Sequence, residues 1–164
     1  MNSQSFSAED MVAAAIDQYA DMVRRICFLH LSNRSDVEDV FQEVFLQYYL
    51  NFSKLQNEQH EKAWLCRVTF NKCKDLNKSF WRKKVVSLDE MEIPFENEEQ
   101  SEIIIALLQL PSKYKDVVYL HYYEGRSIPE IAKIMSQNTN TIYSRLRRAK
   151  EKLKVNEGVI EWNG

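Results

Sequence analysis

Apolar residues recur every three or four positions along most of this chain, a spacing that places them on one side of an α-helix. The clearest run is Val37, Val40, Phe41, Val44, Phe45 and Tyr48. Only 3 glycines and 3 prolines occur in 164 residues, so the turns that a sheet protein needs are scarce. We therefore predict an all-α fold of two small helical domains joined by a linker.

The first half of the chain is predicted to hold three helices. The spacing predicts the first over residues 10–31, the second from an N-cap at Ser35, and the third over about residues 61–83. Pro94 and the acidic residues around it then break the pattern, which is typical of a linker. The predicted organisation is a first domain over 1–84, an acidic linker over 85–101 and a second domain over 102–164.

The second half is predicted to hold four shorter helices. The first two cover residues 102–109 and 112–124, with Ser112 as the cap of the second and Gly125 as its end. Ser127 and Glu130 have the spacing of a capping box, so a third helix begins there, and residues 136–138 form the turn before the last helix. The residues expected to be buried in these last two helices are Ile128, Ile131, Ala132, Met135, Ile142, Leu146, Ala149 and Leu153.

The formal net charge of -2 hides a strong pattern along the chain. Residues 67–84 hold seven basic side chains and one acid, residues 85–110 hold seven acids and no base, and residues 126–154 hold eight bases and two acids. Basic blocks of this kind are typical of surfaces that face nucleic acid. The pattern predicts two such surfaces, one in each domain, separated by an acidic segment.

The third helix separates packing residues from charged ones. At about 100° per residue, one face carries Leu65, Thr69, Cys73, Leu76 and Phe80. The opposite face carries Arg67, Asn71, Lys74, Lys78 and Arg82, with Trp81 beside it. An aromatic ring next to cations can stack on an unpaired base. The alternative interpretation is a solvated basic face, and this helix by itself favours neither.

The last two helices have the form of a helix-turn-helix, because they are short, a three-residue turn joins them, and the second one carries a basic face. In the second of them Asn140, Ser144 and Arg147 point away from the buried stripe. The flanking positions are Thr141, Tyr143, Arg145 and Arg148. Short polar side chains can approach base edges, and arginine suits phosphate or guanine. The pattern favours DNA binding over a basic helical hairpin without that role.

The second helix has an outward face of another kind. It carries Asp36, Asp39, Glu43 and Gln47, with Leu46 and Leu50 beside them. Acidic side chains repel DNA, so this face suits a basic and partly apolar protein partner. An ordinary solvated face is the alternative.

Catalytic, metal-binding and membrane-spanning patterns are missing from the sequence. There is no glycine-rich phosphate loop, nucleophile elbow or HExxH pair, and we predict neither an enzyme nor a cofactor. Cys27, Cys66 and Cys73 lack zinc-site spacing and are expected to be buried and reduced. No apolar run of about 18 residues occurs and the N-terminus does not resemble a secretory signal, so a cytoplasmic location is expected.

Three segments occur in an order that resembles a known family. They are SDVEDVFQEVFLQYY (35–49), AWLCRVTFNKCKDLNKSFWRKK (63–84) and LPSKYKDVVYLHYYEGRSIPEIAKIMSQNTNTIYSRLRRAKEKL (110–153). Together they resemble the sigma-70 family, and in particular its small extracytoplasmic-function (ECF) group, which keeps only the second and fourth sigma domains. The resemblance covers about residues 16–154. It implies a subunit that brings bacterial RNA polymerase to promoters.

The resemblance also implies roles for individual positions. Residues 39–45 are similar to the segment that docks on the clamp helices of the polymerase β′ subunit, which gives an implied contact set of Asp36, Asp39, Gln42, Glu43 and Leu46. The set implied for the promoter -10 element is Arg67, Asn71, Lys74, Asp75, Lys78, Trp81 and Arg82. The set implied for the -35 element is Asn138, Asn140, Thr141, Tyr143, Ser144, Arg145, Arg147 and Arg148.

The implied partners are core RNA polymerase, through its β′ clamp helices and β flap, promoter DNA, and an anti-sigma factor. Two features depart from the family pattern. Ser136 stands where relatives often have glycine in the turn, and residues 77–80 are less rich in arginine than in many relatives. Two other functions stay open: a free-standing transcriptional regulator, and an adaptor that binds only protein and sequesters another sigma-like factor.

Overall fold

A computed structural model of the protein describes residues 6–79 and 98–154. Every regular element in these two ranges is helical, which confirms the predicted all-α class. The chain divides into two compact units, Met1–Pro94 and Phe95–Gly164. Residues 85–97 of the predicted linker lie outside the described residues. No helix in the described part of the chain is long and apolar enough to cross a membrane.

The first unit is a bundle of three helices in which each helix packs against the other two. Helix α1 is Ala8–His30, α2 is Arg34–Asn51, a short 3₁₀ helix is Phe52–Lys54, and α3 is Glu58–Ser79. The predicted stripe of α2 from Val37 to Tyr48 is buried in full. On α3 the predicted packing residues Leu65, Thr69 and Cys73 are buried and Leu76 is half-buried, whereas Phe80 lies outside the described residues.

The helix ends of the first unit differ from the predicted ones because asparagine caps them. Asn33, not Ser35, is the N-cap of α2, and its Oδ1 accepts a hydrogen bond of 2.8 Å from the Asp36 amide. Asn57 precedes α3, and its Oδ1 accepts a 2.8 Å bond from the His60 amide. Helix α3 therefore begins at Glu58 rather than near residue 61. Asparagine satisfies the first free amides of a helix at least as well as serine.

A buried tyrosine joins α2 to α3 inside the bundle. The Tyr48 hydroxyl donates a 3.0 Å hydrogen bond to Oε2 of Glu61, and the Tyr48 ring meets Trp64 edge-on. Burial first, and then the Glu61 carboxylate, raise the pKa of Tyr48 to about 12. The phenol therefore stays protonated and keeps donating. Cys27, Cys66 and Cys73 are buried in the same bundle, as predicted.

The second unit holds α4 (Glu98–Leu107), α5 (Ser112–Val118), a π-helical turn (Tyr119–Tyr123), α6 (Ile128–Met135) and α7 (Thr139–Lys154). Helix α4 begins four residues earlier than predicted. The N-cap of α5 is Pro111, whose carbonyl accepts from the amides of Tyr114 and Lys115, so Ser112 is the first helical residue and not the cap. The single helix predicted over residues 112–124 is instead interrupted by the π turn.

Gly125 ends this segment as predicted, with a positive φ of 69°. The Arg126 amide then reaches back to the Leu120 carbonyl at 2.9 Å. On α7 all four predicted core residues are buried. On α6 Ile131, Ala132 and Ile134 are buried, whereas Ile128 and Met135 are only half-buried. The prediction was therefore wrong about Ile128 and Met135, which are the first and last residues of α6 and have neighbours on fewer sides. It also left out Ile134, which is buried.

The turn between α6 and α7 depends on Ser136 in the left-handed region, with φ 53° and ψ 45°. The Ser136 amide donates to the Lys133 carbonyl at 3.3 Å and the Gln137 amide donates to the Ala132 carbonyl at 3.0 Å. These two bonds form a Schellman motif, which satisfies the last carbonyls of α6. A residue with a Cβ is strained in this conformation, so the departure from glycine noted in the sequence has an energetic cost.

Replacing Ser136 with glycine is expected to stabilise the α6–α7 turn. The left-handed conformation costs an L-residue about 1–2 kcal/mol, and the greater freedom of glycine in the unfolded chain offsets roughly 0.5–1 kcal/mol of that gain. We expect Ser136→Gly to raise the local stability by up to about 1 kcal/mol. Hydrogen exchange of the α6 and α7 amides measures this quantity.

Ser136→Ala is the matched control, because it removes the hydroxyl and keeps the Cβ. Slower exchange in both variants would assign the effect to the hydroxyl and contradict the backbone explanation.

Candidate nucleic-acid and partner interfaces

Helix α2 turns an acidic and apolar face to solvent. Asp39 and Glu43 are exposed, and the large side chains of Leu46 and Leu50 are 57% and 61% exposed. Tyr49 is also exposed and extends the apolar part of this face. Large aliphatic side chains that stay this exposed beside carboxylates are typical of a surface that binds another protein.

A groove runs between this face and α3. The residues that line it are Asp39, Val40, Gln42, Glu43 and Leu46 from α2, with Lys72, Asp75 and Leu76 from α3. Oε2 of Glu43 lies 3.4 Å from Nζ of Lys72, so an ion pair links the two helices. Four of the five residues predicted to contact polymerase therefore share one surface.

Asp75 belongs to this groove by position. The sequence placed it with the residues predicted for the -10 element, but in the structure it lies beside the residues predicted for polymerase. Lys72 was not assigned a role from the sequence. Lys72 and Asp75 are three residues apart on one helix, so helical spacing could have grouped them. The same spacing places Asp75 four residues from Asn71, so it does not by itself separate the groove from the basic face.

Asp36, the fifth residue predicted for polymerase, is half-buried and engaged in capping. Its amide donates to Asn33 Oδ1 and its carboxylate accepts from Asn33 Nδ2, both at 2.8 Å. Near it, the Arg24 guanidinium lies 4.1 Å from the centre of the Phe41 ring and 3.5 Å from Glu38. The first turns of α2 are therefore less acidic than the sequence indicates.

The predicted basic face of α3 is exposed where it is described. Arg67, Asn71 and Lys74 are all exposed. The side chain of Lys78 and the residues Trp81 and Arg82 lie outside the described residues. Asn77 anchors this end of α3, since its Nδ2 donates a 3.0 Å bond to the carbonyl of His30 at the end of α1.

The start of the helix-turn-helix is held by three polar residues. Ser127 and Glu130 form the predicted capping box, in which each side chain accepts from the other residue's amide. The Arg126 guanidinium is largely buried and lies 3.0 Å from Oε2 of Glu130. The hydrogen bond from Arg126, followed by those from Ser127, lowers the pKa of Glu130.

Neutralising Glu130 is expected to cost the helix-turn-helix about 0.5 kcal/mol at pH 7, since Glu130 is half-exposed and solvent screens the pair. The folded pKa lies below the usual value of 4.5, so this stability is present above pH 4.5 and is lost as the pH falls through the folded pKa. We expect Glu130→Gln to be less stable than the parent at pH 7. We expect the two proteins to be equally stable at a pH below the folded pKa of Glu130. Hydrogen exchange of α6 amides across that range is the measurement.

Glutamine can still complete the capping box, so the variant isolates the charge. A constant difference between variant and parent at all pH values would contradict the assignment to the Arg126 ion pair.

Helix α7 buries one stripe and exposes the predicted reading face. Ile142, Leu146, Ala149 and Leu153 are buried, whereas Asn140, Tyr143, Arg147 and Arg148 are exposed and Thr141, Ser144 and Arg145 are half-buried. Tyr143 is 60% exposed, which is unusual for a ring that a core could hold. Asn138 is exposed too, but its Oδ1 accepts a 2.8 Å bond from the Thr141 amide, so it caps α7.

A second groove joins this face of α7 to α5, which the sequence did not predict. Lys113 and Tyr114 line it together with side chains from residues 138–148. The PSKYK segment showed no pattern that would have grouped it with the helix-turn-helix, because its approach to α7 depends on the packing of the unit.

Family models match the chain in two places. The model of sigma-70 region 2 matches residues 15–84, which include the α2–α3 groove and the basic face of α3. The model of sigma-70 region 4 matches residues 100–153, which include α6, the turn and α7. The chain belongs to the sigma-70 family.

Two relatives from Bacillus subtilis (strain 168) agree in length and in kind with this sigma factor. The RNA polymerase sigma factor SigV is 24% identical over 151 residues, which cover 88% of this chain and 90% of that protein. The ECF RNA polymerase sigma factor SigW is 24% identical over 165 residues, which cover 89% of this chain and 88% of that protein. The sigma factor therefore belongs with the ECF group, as predicted.

The fold agrees with a solved structure as well. The sigma factor RpoE of Bartonella quintana, crystallised in complex with the anti-sigma factor NepR, matches with a TM-score of 0.70 and 19% identity over 87% of this chain and 94% of that one. This likeness concerns the fold. With the family established, the predicted function is confirmed: the protein is a non-enzymatic initiation factor that directs RNA polymerase to promoters.

Proposed function

We propose that this sigma factor divides promoter recognition among three surfaces. The α2–α3 groove and the exposed leucines of α2 bind core RNA polymerase. The basic face of α3 binds the -10 element, and the outward face of α7 reads the -35 element. Chemistry belongs to the polymerase.

The observation that supports this proposal is that one small helical bundle exposes two surfaces of opposite charge. The same three helices expose an acidic and apolar surface around Glu43 and Leu46 and a basic surface around Arg67 and Lys74. A protein partner and a nucleic acid can bind such a bundle together, because the acids repel phosphate and the cations attract it. A regulator that uses only its helix-turn-helix has no need of either surface.

The polymerase surface suits a basic and partly apolar partner, for which the family resemblance implies the clamp helices of the β′ subunit. Leu46 and Leu50 supply apolar area, and Asp39 and Glu43 supply charge. For the second unit, the resemblance implies the β flap as the polymerase contact.

Charge reversal at Glu43 tests the polymerase surface. We expect Glu43→Lys to weaken binding to bacterial core RNA polymerase by about tenfold or more, because a partner cation then meets a cation. The measurement is co-elution of the full chain with core polymerase on gel filtration, followed by titration of the affinity. We expect the parent chain to co-elute stoichiometrically with core polymerase, and we expect the variant to lose this co-elution.

Breaking the Glu43–Lys72 ion pair is a side effect of that change, so a matched control is needed. Lys72→Gln breaks the same pair and leaves Glu43 in place. Equal losses in both variants would assign the effect to the ion pair instead of to the polymerase contact. Unchanged core affinity in Glu43→Lys would remove the α2 face from the proposal.

For the -10 element we propose capture of an unpaired base on the basic face of α3. The Asn71 amide can hydrogen-bond a base edge, and Arg67 and Lys74 can hold the single-strand phosphates. Lys78, Trp81 and Arg82 extend this proposal beyond the described part, with Trp81 as the stacking ring. Asp75 is better assigned to the α2–α3 groove.

For the -35 element we propose that Asn140, Ser144 and Arg147 approach base edges in the major groove. The flanking Thr141, Tyr143, Arg145 and Arg148 then contact the backbone or the rims of the bases. Asn138 acts first as the cap that sets where α7 begins.

Arg147→Ala is expected to weaken binding to the -35 duplex by about 1–3 kcal/mol and to reduce the preference for that sequence. Affinities for a promoter duplex and a scrambled duplex, measured side by side, distinguish the two effects. An equal loss on both duplexes would make Arg147 a phosphate contact.

Two further assignments belong to the proposal. An anti-sigma partner is proposed because a solved sigma factor of similar fold is bound to one. A cytoplasmic location is proposed because promoters and polymerase are there. A free-standing regulator would bind duplex DNA without polymerase, so the co-elution experiment separates it from a sigma factor. An adaptor would form no DNA contacts, so DNA crosslinking within a polymerase complex separates it from the other two.

A further inference from the structure

The second groove of the C-terminal unit lies between α5 and residues 138–148 at the start of α7. Helix α5 contributes Lys113 and Tyr114, and α7 contributes polar and basic side chains that include Asn140, Ser144, Arg145 and Arg148. Of the described residues that line this groove, none is acidic. Side chains from two helices therefore form a cationic surface that no carboxylate of its lining offsets.

Tyr114 organises the cations of this groove. Its side chain is buried, with 5% of the residue exposed, so the ring is a fixed platform. Nζ of Lys113 lies 5.1 Å from the ring centre, and Nζ of Lys152, a residue outside the groove lining, lies 5.9 Å from it. Both distances are within the range of a cation–π contact. These contacts hold flexible lysine side chains near one place.

The hydroxyl of Tyr114 lies among the same cations. Burial by itself raises its pKa, but the nearby Lys113 and the hydrogen bond from Arg148 outweigh burial and lower the pKa of Tyr114 overall. The cations thus act on the hydroxyl oxygen of a residue that lines the groove. An anionic oxygen brought there would meet the same attraction more strongly.

The position of the groove indicates which anion it takes. Asn140 and Ser144 belong both to the groove and to the face of α7 proposed to read bases, so whatever anion enters the groove lies next to those bases. In a DNA duplex the group beside a base edge read from the major groove is the backbone phosphodiester. An acidic side chain of a partner protein has no such link to the bases, so contact between α7 and the bases would not bring it into the groove.

We propose that Lys113 and Arg148 bind a backbone phosphate of duplex DNA next to the bases that α7 reads, with Tyr114 as the residue that positions both cations. This inference rests on the function proposed for α7 and adds α5 to the DNA interface. Lys113 supplies affinity without sequence preference, because a phosphate carries no sequence information.

The experiment uses the full chain and two duplexes of equal length. One duplex is selected from a random pool by the chain bound to core polymerase, and the other is a scrambled sequence of the same composition. Fluorescence anisotropy measures both affinities across a potassium chloride titration. The variants are Lys113→Gln and Tyr114→Phe, and Lys115→Gln is the control because residue 115 lies about 200° around α5 from residue 113.

We expect Lys113→Gln to weaken binding to both duplexes by the same factor. One phosphate contact fewer should reduce the slope of log affinity against log salt by about 0.9. Tyr114→Phe should lower the affinity and leave the slope unchanged, since no cation is lost. Lys115→Gln should match the parent, and thermal unfolding should show that all variants fold.

Two outcomes would overturn the inference. Parent-like affinity and slope in Lys113→Gln would remove α5 from the DNA interface. A loss confined to the selected duplex would make Lys113 a reader of bases. In the first case, gel filtration of Lys113→Gln with core polymerase tests whether the groove binds an acidic protein surface instead. If the parent chain binds both duplexes equally well, the sequence reading proposed for α7 fails, while the slope for Lys113 still tests the phosphate contact.

Discussion

Each helix of this protein buries one apolar stripe against its neighbours, and every other feature depends on that burial. Isolated helices shorter than about 12–15 residues are marginal in water, and α6 has only 8 residues. Burying Ile131 and Ile134 contributes roughly 1.5–3 kcal/mol each, and together they exceed the roughly 0.5–2 kcal/mol that the Ser127 cap contributes. Tertiary packing therefore stabilises α6 as a helix. The orientation of α6 in turn determines the direction in which α7 leaves the turn.

Burial of one stripe leaves the opposite side of each helix available for binding chemistry. On α2 that side is acidic and apolar, on α3 it is basic, and on α7 it carries asparagine, serine, tyrosine and arginine. Because a helix turns 100° per residue, neighbouring positions can belong to surfaces of opposite charge. Asp75 illustrates this, since it lies in the α2–α3 groove although its sequence neighbour Lys74 is on the basic face.

Local polar contacts decide where helices begin and how firmly their functional faces are placed. Asn33, Asn57 and Asn138 each accept a bond from an amide in the first turn of the helix that follows. Sequence reasoning missed the first two and gave the third a binding role. Serine and asparagine both cap helices well, so a segment that offers several candidates leaves the choice to the packing around it. The π turn at residues 119–123 was missed because five residues are too few for its longer period to change the apolar spacing visibly.

The sequence by itself determined the helical class, the buried stripes of α2 and α7, the capping box of α6 and the order of motifs that places the chain in the sigma-70 family. Those features are local, and spacing along the chain is enough to encode them. Only the tertiary structure decided which faces meet. It paired Glu43 with Lys72, moved Asp75 to the α2–α3 groove, and brought Lys113 and Tyr114 from α5 beside α7. These contacts join residues far apart in the chain, and they depend on how helices pack, which the period of a single helix does not specify.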